Sequence, residues 1–251
     1  IIGYCNYKGY DDILVPNYAD WRLVNPGRYY PSSCSGEEAT TYSSKPWENK
    51  IDQVIFRGSA TGCGINAKTN KRIAVAELAM ENGNSKVLDV KLTGLNNRDK
   101  IYRREGTDVL IGRYDGKINR TSPEDRMYPL QQSEYKYVLH IDGHVAAYRL
   151  GRELDYNSCI LKMKGYEDYK LWFSDELVPY NEKDRNDKEA NVIVVTLDGL
   201  MSQLETIMNK DKANITKEIA SNAKKLYNRI MTRDNMIEYM KSKLQMISTH
   251  F

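Results

Sequence analysis

The sequence predicts an α/β fold, in which a doubly wound parallel sheet is followed by a C-terminal helical segment. Short apolar runs of strand length alternate with helical patterns through the middle of the chain, as in successive βαβ units. Two of these runs end in loops that are rich in glycine and other small residues. From residue 197 onward, apolar residues recur every three or four positions, which indicates helices with one buried face.

Residues 1–50 are rich in Tyr, Pro, Gly and Ser and show no sustained period, and Trp21 and Trp47 are their bulkiest side chains. We interpret them as an irregular segment that belongs to an N-terminal lobe or to a region between lobes. Residues 51–251 carry the alternating strands and helices, so we treat them as one Rossmann-like lobe with C-terminal helices.

The first β-loop-α-β motif covers residues 52–92. Apolar runs predict strands at 52–58 and 86–92. Between them, a helix is expected over about 71–82, with Asn70 as its N-cap.

The rest of the chain continues the alternation. Residues 93–130 are polar and lack a clear period, so we expect a surface excursion with one short helix. Further strands are predicted at 135–141, 158–163 and 191–196, and helices are predicted from Val145 and over 167–177.

Composition and charge exclude several classes of protein. The chain has 37 Lys and Arg against 34 Asp and Glu, so it has no broad positive field for a nucleic-acid backbone. It also lacks RNP-like and KH-like motifs, which makes an RNA-binding module a remote alternative. No apolar run approaches the ~18 residues of a membrane span, so we expect none. The cytoplasm is the favoured compartment, and a secretory lumen stays open for a longer parent polypeptide.

Cysteines and histidines are few and scattered. They are Cys5, Cys34, Cys63, Cys159, His140, His144 and His250. Because no CxxC pair is present, we expect no metal site. Four cysteines allow three disulfide pairings, but a domain of this size can fold without them, so free thiols are favoured.

The loop after the first predicted strand, residues 57–62 (RGSATG), offers groups that bind anions. Arg57 has a guanidinium, Ser59 a hydroxyl, and the glycines allow the backbone to approach a ligand closely. The loop lacks the GKS or GKT of a Walker A motif, and by itself it also fits an ordinary turn. Ligands of open parallel sheets bind where strand ends meet helix N-termini, which favours an anion site here.

A second loop, residues 142–149 (DGHVAAYR), also follows a predicted strand and opens a predicted helix. Its candidate binding residues are His144, Val145, Ala146, Ala147, Tyr148 and Arg149. The small side chains would let a diphosphate approach, and Arg149, about one turn into the helix, could contact two phosphate oxygens. The alternative is that the small residues pack on the sheet and Arg149 pairs with a surface carboxylate. His144 is a candidate base or ligand, or a structural turn residue.

Seven short segments, taken in one order, resemble motifs of a known enzyme family. They are 12–16 (DILVP), 46–47 (PW), 56–59 (FRGS), 136–137 (KY), 144–149 (HVAAYR), 158–162 (SCILK) and 172–179 (WFSDELVP). Together they resemble the capsule-associated-protein (Cap-ten) family of glycosyltransferases, which includes Rumi-type protein O-glucosyltransferases and KDEL-containing and lipopolysaccharide-modifying relatives. Arg72 resembles the arginine that follows FRGS in that family, and the resemblance covers most of the chain.

This resemblance implies a GT-B architecture of two Rossmann-like lobes, in which residues 51–251 form the nucleotide-sugar-binding lobe. It implies a hexosyl- or pentosyltransferase that inverts the sugar and needs no metal or other cofactor. The co-substrate would be a nucleotide-diphosphate sugar, with a UDP-sugar favoured, and the acceptor a hydroxyl of a protein or polysaccharide. Arg57, Arg72 and Arg149 would stabilise the departing diphosphate, with Ser59 and the backbone of 144–147 as further donors.

The catalytic base is not assigned. In the family it lies upstream of the segment that residues 12–16 resemble, where Asp11 here replaces a histidine, and the sequence begins only ten residues before Asp11. Asp12 is the nearest candidate by position, and the resemblance places the base in an upstream lobe of the same polypeptide. A nucleotide-sugar-binding lobe without catalytic activity is therefore the alternative to an enzyme.

Overall fold

The computed structural model describes residues 1–6, 9–25, 45–62, 64–81, 83–95, 100–102, 110–112, 127–165, 169–181, 187–209 and 212–250. Its strands are β1 (Ile2–Gly3), β2 (Ile13–Leu14), β3 (Ile51–Gly58), β4 (Leu88–Leu92), β5 (Lys100–Tyr102), β6 (Leu110–Gly112), β7 (Tyr135–His140), β8 (Cys159–Met163) and β9 (Ile193–Val195). Its α-helices are α1 (Tyr18–Val24), α2 (Lys71–Leu78), α3 (Pro129–Gln132), α4 (Leu150–Glu153), α5 (Leu200–Ile207), α6 (Ala213–Ile230) and α7 (Arg233–His250).

Five parallel strands form the central sheet, in the spatial order β4-β3-β7-β8-β9. In β3, Val54, Ile55 and Phe56 are all buried, as expected for a strand that is covered on both faces. The predicted parallel α/β sheet is therefore confirmed. From β3 the chain moves outward to β4 and then returns to β7 on the other side, so the strand order reverses between β3 and β7.

Helices cover both faces of the sheet. On one face, Ile73 of α2 belongs to the same apolar cluster as Phe56 of β3. On the other face, Leu150 of α4 packs in a cluster with Ile160 of β8. Helix α6 has residues in both clusters, so the C-terminal helices belong to the same packed unit as the sheet.

The predicted start of α2 is confirmed. The Asn70 side chain accepts hydrogen bonds from the backbone N–H groups of Arg72 and Ile73, as an N-cap residue does. The helix ends at Leu78, four residues before the predicted end.

Helix α4 begins at Leu150, so the prediction of a helix from Val145 was wrong. The Asp142 carboxylate accepts a hydrogen bond from the Ala147 N–H (2.8 Å), which holds the preceding residues in a turn. Arg149 is therefore the N-cap residue of α4 and does not lie one turn into it.

The prediction of an α-helix over 167–177 was also wrong for the part that the structure describes. The backbone of Lys170 pairs with that of Asn6 in an isolated antiparallel bridge. The Leu171 N–H donates to Ser174 Oγ (2.7 Å), and only Ser174–Glu176 form a 3-10 turn. The distant Asn6 carbonyl and the nearby Ser174 hydroxyl therefore take N–H groups that a helix would use, and a helical pattern reveals neither of them.

The N-terminal segment is more regular than predicted. It contains the parallel pair β1-β2 and helix α1, which begins with a reciprocal capping box between Asn17 and Asp20. Asp20 also accepts a hydrogen bond from Trp172 Nε1 (2.9 Å), so α1 packs against the sheet-bearing unit. The division at residue 50 stays a prediction.

The predicted surface excursion is described only in part. Strands β5 and β6 form an antiparallel pair within it, and α3 lies at its end. Cys34 and Cys63 lie outside the described residues, and among those described Cys5 and Cys159 are free thiols. Within the parts of the chain that the structure describes, no helix has the length and apolar character needed to cross a bilayer.

Candidate functional site

The loops after β3 and β7 start side by side at the carboxyl end of the sheet. Both strands run in the same direction, with Ile55 of β3 opposite Val138 of β7. The strand order reverses between them, and ligands of open α/β sheets bind in the crevice at such a position. Residues 57–62 and 142–149, which the sequence singled out, therefore flank one crevice.

Arg72, in the first turn of α2, ties the two loops together. In the first loop, its Nη1 donates to the Ser59 carbonyl (2.9 Å) and to Thr61 Oγ1 (2.6 Å). In the second loop, its Nε donates to the Asp142 carbonyl (3.1 Å) and its Nη2 to the Ile141 carbonyl (2.7 Å). The side chain is buried, so Arg72 acts as an internal clamp whose positive charge lies between the loops.

Arg149 makes the reciprocal contact, from the second loop to the end of β3. Its Nη1 donates to the Arg57 carbonyl (2.6 Å), and its Nε lies 2.9 Å from Glu153 Oε1. Its guanidinium carbon lies 4.6 Å from the centroid of the Phe56 ring, within the range of a cation–π contact. Among the described residues, Arg149 Nη2 is buried and has no hydrogen-bond partner, so this arginine keeps one unused donor.

Two glycines allow this close packing. A Cβ atom on Gly58 would lie 2.9 Å from Phe56 Cζ and 3.2 Å from Arg149 Nη1. A Cβ atom on Gly143 would lie 2.9 Å from Thr61 Oγ1 in the facing loop. Both glycines are therefore needed for the approach of the two loops and their arginines.

Arg57 has a different orientation from the other two arginines. Its guanidinium contacts Asp89 of β4: Nη2 lies 2.7 Å from Asp89 Oδ1, and Nη1 donates to the Asp89 carbonyl (2.7 Å). The Tyr135 hydroxyl donates to the other Asp89 carboxylate oxygen (2.5 Å). The structure thus brings the carbonyl of Arg57, but not its guanidinium, to Arg149, and its role as a phosphate ligand stays a prediction.

The remaining residues of the second loop divide between the surface and the core. His144 and Val145 are exposed, and the His144 carbonyl accepts a hydrogen bond from the Tyr169 hydroxyl (2.9 Å). Ala146 is buried in the apolar cluster that contains α4, while Ala147 uses its N–H in the turn described above. Ala146 therefore packs in the core whereas Val145 does not, and the role of this loop in donor binding stays a prediction.

Tyr148 points toward the N-terminal segment. Its ring lies edge-on to those of Tyr4 and Tyr18, with centroids 6.2 Å and 5.9 Å away. Its hydroxyl lies 4.0 Å from Cys5 Sγ. Tyr148 therefore joins the loop to residues 1–25 and does not enter the group of arginines.

A buried histidine lies behind Arg149. His140, the last residue of β7, places Nδ1 2.5 Å from Glu153 Oε2 and Nε2 3.4 Å from Asp142 Oδ1. His140 and Glu153 are both almost completely buried. An imidazole thus links the carboxylate that pairs with Arg149 to the carboxylate that holds the turn.

The electrostatics of this group favour its charged forms. Burial by itself would lower the pKa of His140, but the carboxylates of Glu153 and Asp142 outweigh it and raise that pKa above its usual value. Burial would raise the pKa of Glu153, and the charges of Arg149 and His140 lower it instead. For Asp142, burial is likewise outweighed, mainly by the hydrogen bond from His140, and its pKa falls to about 2.

Sequence analysis did not assign His140 or Glu153 to the site. One signal was present, because His140 occupies a strand whose neighbouring residues are mostly apolar, which is an unusual place for an unpaired imidazole. Its partner Glu153 lies in the following helix, and no spacing rule connects the two.

Within the described parts of the chain, no group of three or more His, Cys, Asp or Glu side chains could hold a metal ion. The expectation that transfer needs no metal stays a prediction.

Three viral proteins are similar to this chain. One named "Uncharacterized protein 035R", from Invertebrate iridescent virus 3, is 29% identical over 255 residues, which cover 100% of this chain and 21% of the viral protein. "Uncharacterized protein 179R" of Invertebrate iridescent virus 6 is 27% identical over 285 residues, with 100% and 23% covered. "Uncharacterized protein 027R" of Frog virus 3 is 30% identical over 191 residues, with 72% and 19% covered. The chain thus spans about a fifth of the length of these relatives.

Almost the whole chain matches the model of one protein family. The model of glycosyl transferase family 90 matches residues 1–250, and this range includes the parallel sheet, both loops and the C-terminal helices. The chain therefore belongs to glycosyl transferase family 90.

Proposed function

We propose that this chain binds a nucleotide-diphosphate sugar, with a UDP-sugar as the favoured donor, and takes part in its transfer to a hydroxyl of a protein or glycan. Membership of glycosyl transferase family 90 supports a transferase. The resemblance of its motifs to Cap-ten and Rumi-type enzymes supports the finer assignment, including a GT-B architecture, inversion at the sugar and independence from metal.

The crossed pair of arginines is the observation that carries the proposal. Arg72, in the helix after the first loop, donates to the Ile141 carbonyl just after β7. Arg149, in the second loop, donates to the Arg57 carbonyl near the end of β3. Both guanidinium groups lie near the Phe56 ring, at 5.7 Å and 4.6 Å from its centroid. Two positive charges thus converge in the crevice where a sheet of this topology binds nucleotides.

The two arginines would have unequal roles toward a diphosphate. Arg72 directs its N–H groups to four acceptors of the protein, so it contributes mainly charge and loop geometry. Arg149 retains Nη2 as a buried donor without a partner among the described residues, so we expect it to donate to a phosphate oxygen that reaches this loop. Fixed cationic groups of this kind stabilise the charge that builds up on a departing diphosphate, which is the part a metal ion plays elsewhere.

In inverting transfer, the acceptor oxygen attacks the anomeric carbon as the bond from that carbon to the diphosphate oxygen breaks. A base removes the proton of the attacking hydroxyl. The carboxylates nearest the arginines, Asp142 and Glu153, are engaged by His140, and Glu153 also pairs with Arg149. We therefore assign neither of them as the base.

The contacts of Asp142 and Glu153 with His140 and Arg149 also favour a second candidate function. A lobe whose crevice carboxylates serve to hold an arginine would bind a nucleotide sugar without performing the transfer by itself. A coupled transfer assay separates the two functions, because only the enzyme releases nucleoside diphosphate in proportion to the glycosylated acceptor.

The experiment that tests donor binding is a thermal-shift screen of UDP-, GDP- and dTDP-sugars, followed by titration calorimetry of the best donor. We expect stabilisation by at least one nucleotide sugar, since a ligand that binds only the folded state raises its melting temperature. If none of these donors shifts the melting temperature or gives binding heat, the proposed function is wrong.

A further inference from the structure

Arg149 needs a support that holds its guanidinium in place. Arginine has a long side chain, and ordering such a side chain costs up to about 2 kcal/mol of rotamer freedom. Three contacts order it: the Arg57 carbonyl, the Phe56 ring and Glu153 Oε1. Only the last is a charged side chain, so Glu153 is the contact that can respond to the charge of its surroundings.

Glu153 is held in turn from its other side. Its Oε2 lies 2.5 Å from His140 Nδ1, and His140 Nε2 faces Asp142 Oδ1, which accepts from the Ala147 N–H. The buried chain of contacts therefore starts at the backbone of the second loop and ends at the guanidinium of Arg149. Each member is fixed by the next, so the arginine and the loop adopt one geometry together.

We propose that His140 and Glu153 are positioning residues, which hold the Arg149 guanidinium against the end of β3 in the orientation that meets the diphosphate of the donor. This inference rests on the proposed function. Neither residue touches the donor, since both are buried behind Arg149. Their effect would pass through the ion pair of Glu153 with Arg149.

The proton on His140 also sets the charge beside the crevice. The charged and titratable groups around His140 and Glu153 come from several elements and are Arg72, Asp142, Arg149, Arg152, Tyr156 and Lys162. With His140 protonated, Asp142 and Glu153 share their negative charge with the imidazolium. Loss of that proton would leave both carboxylates to the arginines and would reduce the positive charge available to a diphosphate.

The test is a double-mutant cycle on donor affinity. Titration calorimetry measures UDP-glucose binding to the wild-type chain, Glu153→Gln, Arg149→Ala and the double variant. UDP-glucose is the probe because its diphosphate has no terminal phosphate that titrates near neutral pH, and any titration of its uracil ring is the same for the wild-type chain and the variants. We expect Glu153→Gln to weaken binding about tenfold in the wild-type background and less than about twofold in the Arg149→Ala background.

A merely structural role for Glu153 would weaken binding equally in both backgrounds, and that result would overturn the inference. His140→Gln is expected to behave in the same way as Glu153→Gln. His250→Gln, which removes a histidine at the far end of the chain, is the matched control and should leave affinity unchanged.

A second measurement keeps the proposal testable if Glu153→Gln and His140→Gln do not fold. The affinity for UDP-glucose is measured from pH 6 to 10 for the wild-type chain and for Arg149→Ala. We expect the wild-type affinity to fall with rising pH and the profile of the variant to be flatter, because the variant lacks the group that His140 controls. Profiles of equal shape would overturn the inference. Absence of UDP-glucose and other nucleotide-sugar binding to the wild-type chain would instead refute the proposed function itself.

Discussion

At the scale of single residues, the three arginines of the site differ in which acceptors surround them. The guanidinium of Arg57 pairs with Asp89 of β4, and that of Arg72 bridges four acceptors of the two loops. Arg149 alone of the three combines an ion pair, a contact with an aromatic ring and an Nη2 group without a partner among the described residues. A side chain's role thus follows from the hydrogen bonds left after packing.

The first prediction concerns Arg149→Lys. Lysine keeps the positive charge but cannot hold the Arg57 carbonyl, Glu153 and a phosphate oxygen at once, because it lacks the planar fork of donors. We expect nucleoside diphosphate affinity to fall about tenfold, which corresponds to ~1.4 kcal/mol. Titration calorimetry with UDP measures it. Unchanged affinity would show that Arg149 acts only as a point charge or lies outside the site.

The second prediction concerns Arg72→Ala. Removal of this buried clamp leaves the carbonyls of Ser59, Ile141 and Asp142 without their donor, so we expect a loss of roughly 3 kcal/mol in the free energy of unfolding. Urea denaturation followed by circular dichroism measures it. Lys68→Ala, an exposed change in the same loop region, is the control and should stay within about 0.5 kcal/mol of wild type. Equal stability of the two variants would contradict the clamp.

Residue types and spacing predicted the two loops, but not that their arginines would contact different groups. Strand ends indicated Arg57 and Arg149, and the family resemblance added Arg72, as groups that would stabilise a diphosphate. The sequence could not show that Arg57 would turn toward Asp89, because that pair depends on the register between β3 and β4, in which Ile55 stands opposite Asp89. Such a register is a property of the folded sheet.

At the scale of elements, runs of apolar residues predicted the five central strands well, because burial on both faces requires them. The errors occurred in short helices. Helix α4 starts later than predicted because the Asp142 carboxylate captures a backbone N–H in the preceding turn. The segment after residue 169 loses helix because Lys170 pairs with Asn6, more than 160 residues earlier in the chain. A periodic pattern of apolar residues contains no information on either of these hydrogen-bond partners.

The third prediction concerns the contact between α1 and the sheet-bearing unit. Asp20 is fully buried beside Gly151, and it accepts a hydrogen bond from Trp172. Burial outweighs the hydrogen bonds of Trp172 and Asn17 and raises the pKa of Asp20 to about 7. The folded state therefore binds this proton more tightly than the unfolded state, and the stabilisation that the proton provides is lost as pH rises from about 4 to about 7.

We expect Asp20→Asn to remove this pH dependence. As pH rises from 4 to 8, the wild type should lose stability relative to the variant. The loss in unfolding free energy should be a few kcal/mol, at most ~4. Urea denaturation at several pH values, followed by Trp fluorescence, measures it. Asp198→Asn, a change at an exposed aspartate, is the control. A wild-type-minus-variant difference that does not change with pH would show that Asp20 stays ionised when buried.

At the scale of the whole molecule, the fold brings arginine side chains to the carboxyl end of the sheet and places carboxylates next to them. The net charge of the chain is only +3, so attraction of an anion must come from local arrangement. Arg72 and Arg149 place two positive charges at the carboxyl end of the sheet, and His140, Asp142 and Glu153 lie next to them. The chain spans about a fifth of the length of its viral relatives, so acceptor recognition and transfer by those longer proteins are separate questions from donor binding.

The last prediction follows from that arrangement, and it is that donor binding does not require a divalent metal. A diphosphate carries two or more negative charges, which another class of site offsets with Mg²⁺ or Mn²⁺ held by carboxylates. Here the side chains that converge on the crevice are guanidinium groups, and Asp142 and Glu153 are occupied by His140 and Arg149. A metal ion would have to displace those contacts before it could bind.

We therefore expect the affinity for UDP to be the same, within about twofold, in EDTA and in millimolar Mg²⁺ or Mn²⁺, which is ~0.4 kcal/mol at most. Titration calorimetry of the chain after dialysis against EDTA measures it, with Arg149→Ala titrated in parallel. If the site works through its arginines, the variant should bind UDP weakly in every buffer, because added metal does not replace the missing guanidinium. Binding that appears only with Mn²⁺ or Mg²⁺, and that survives Arg149→Ala, would place the diphosphate on a metal and refute the arginine-based site.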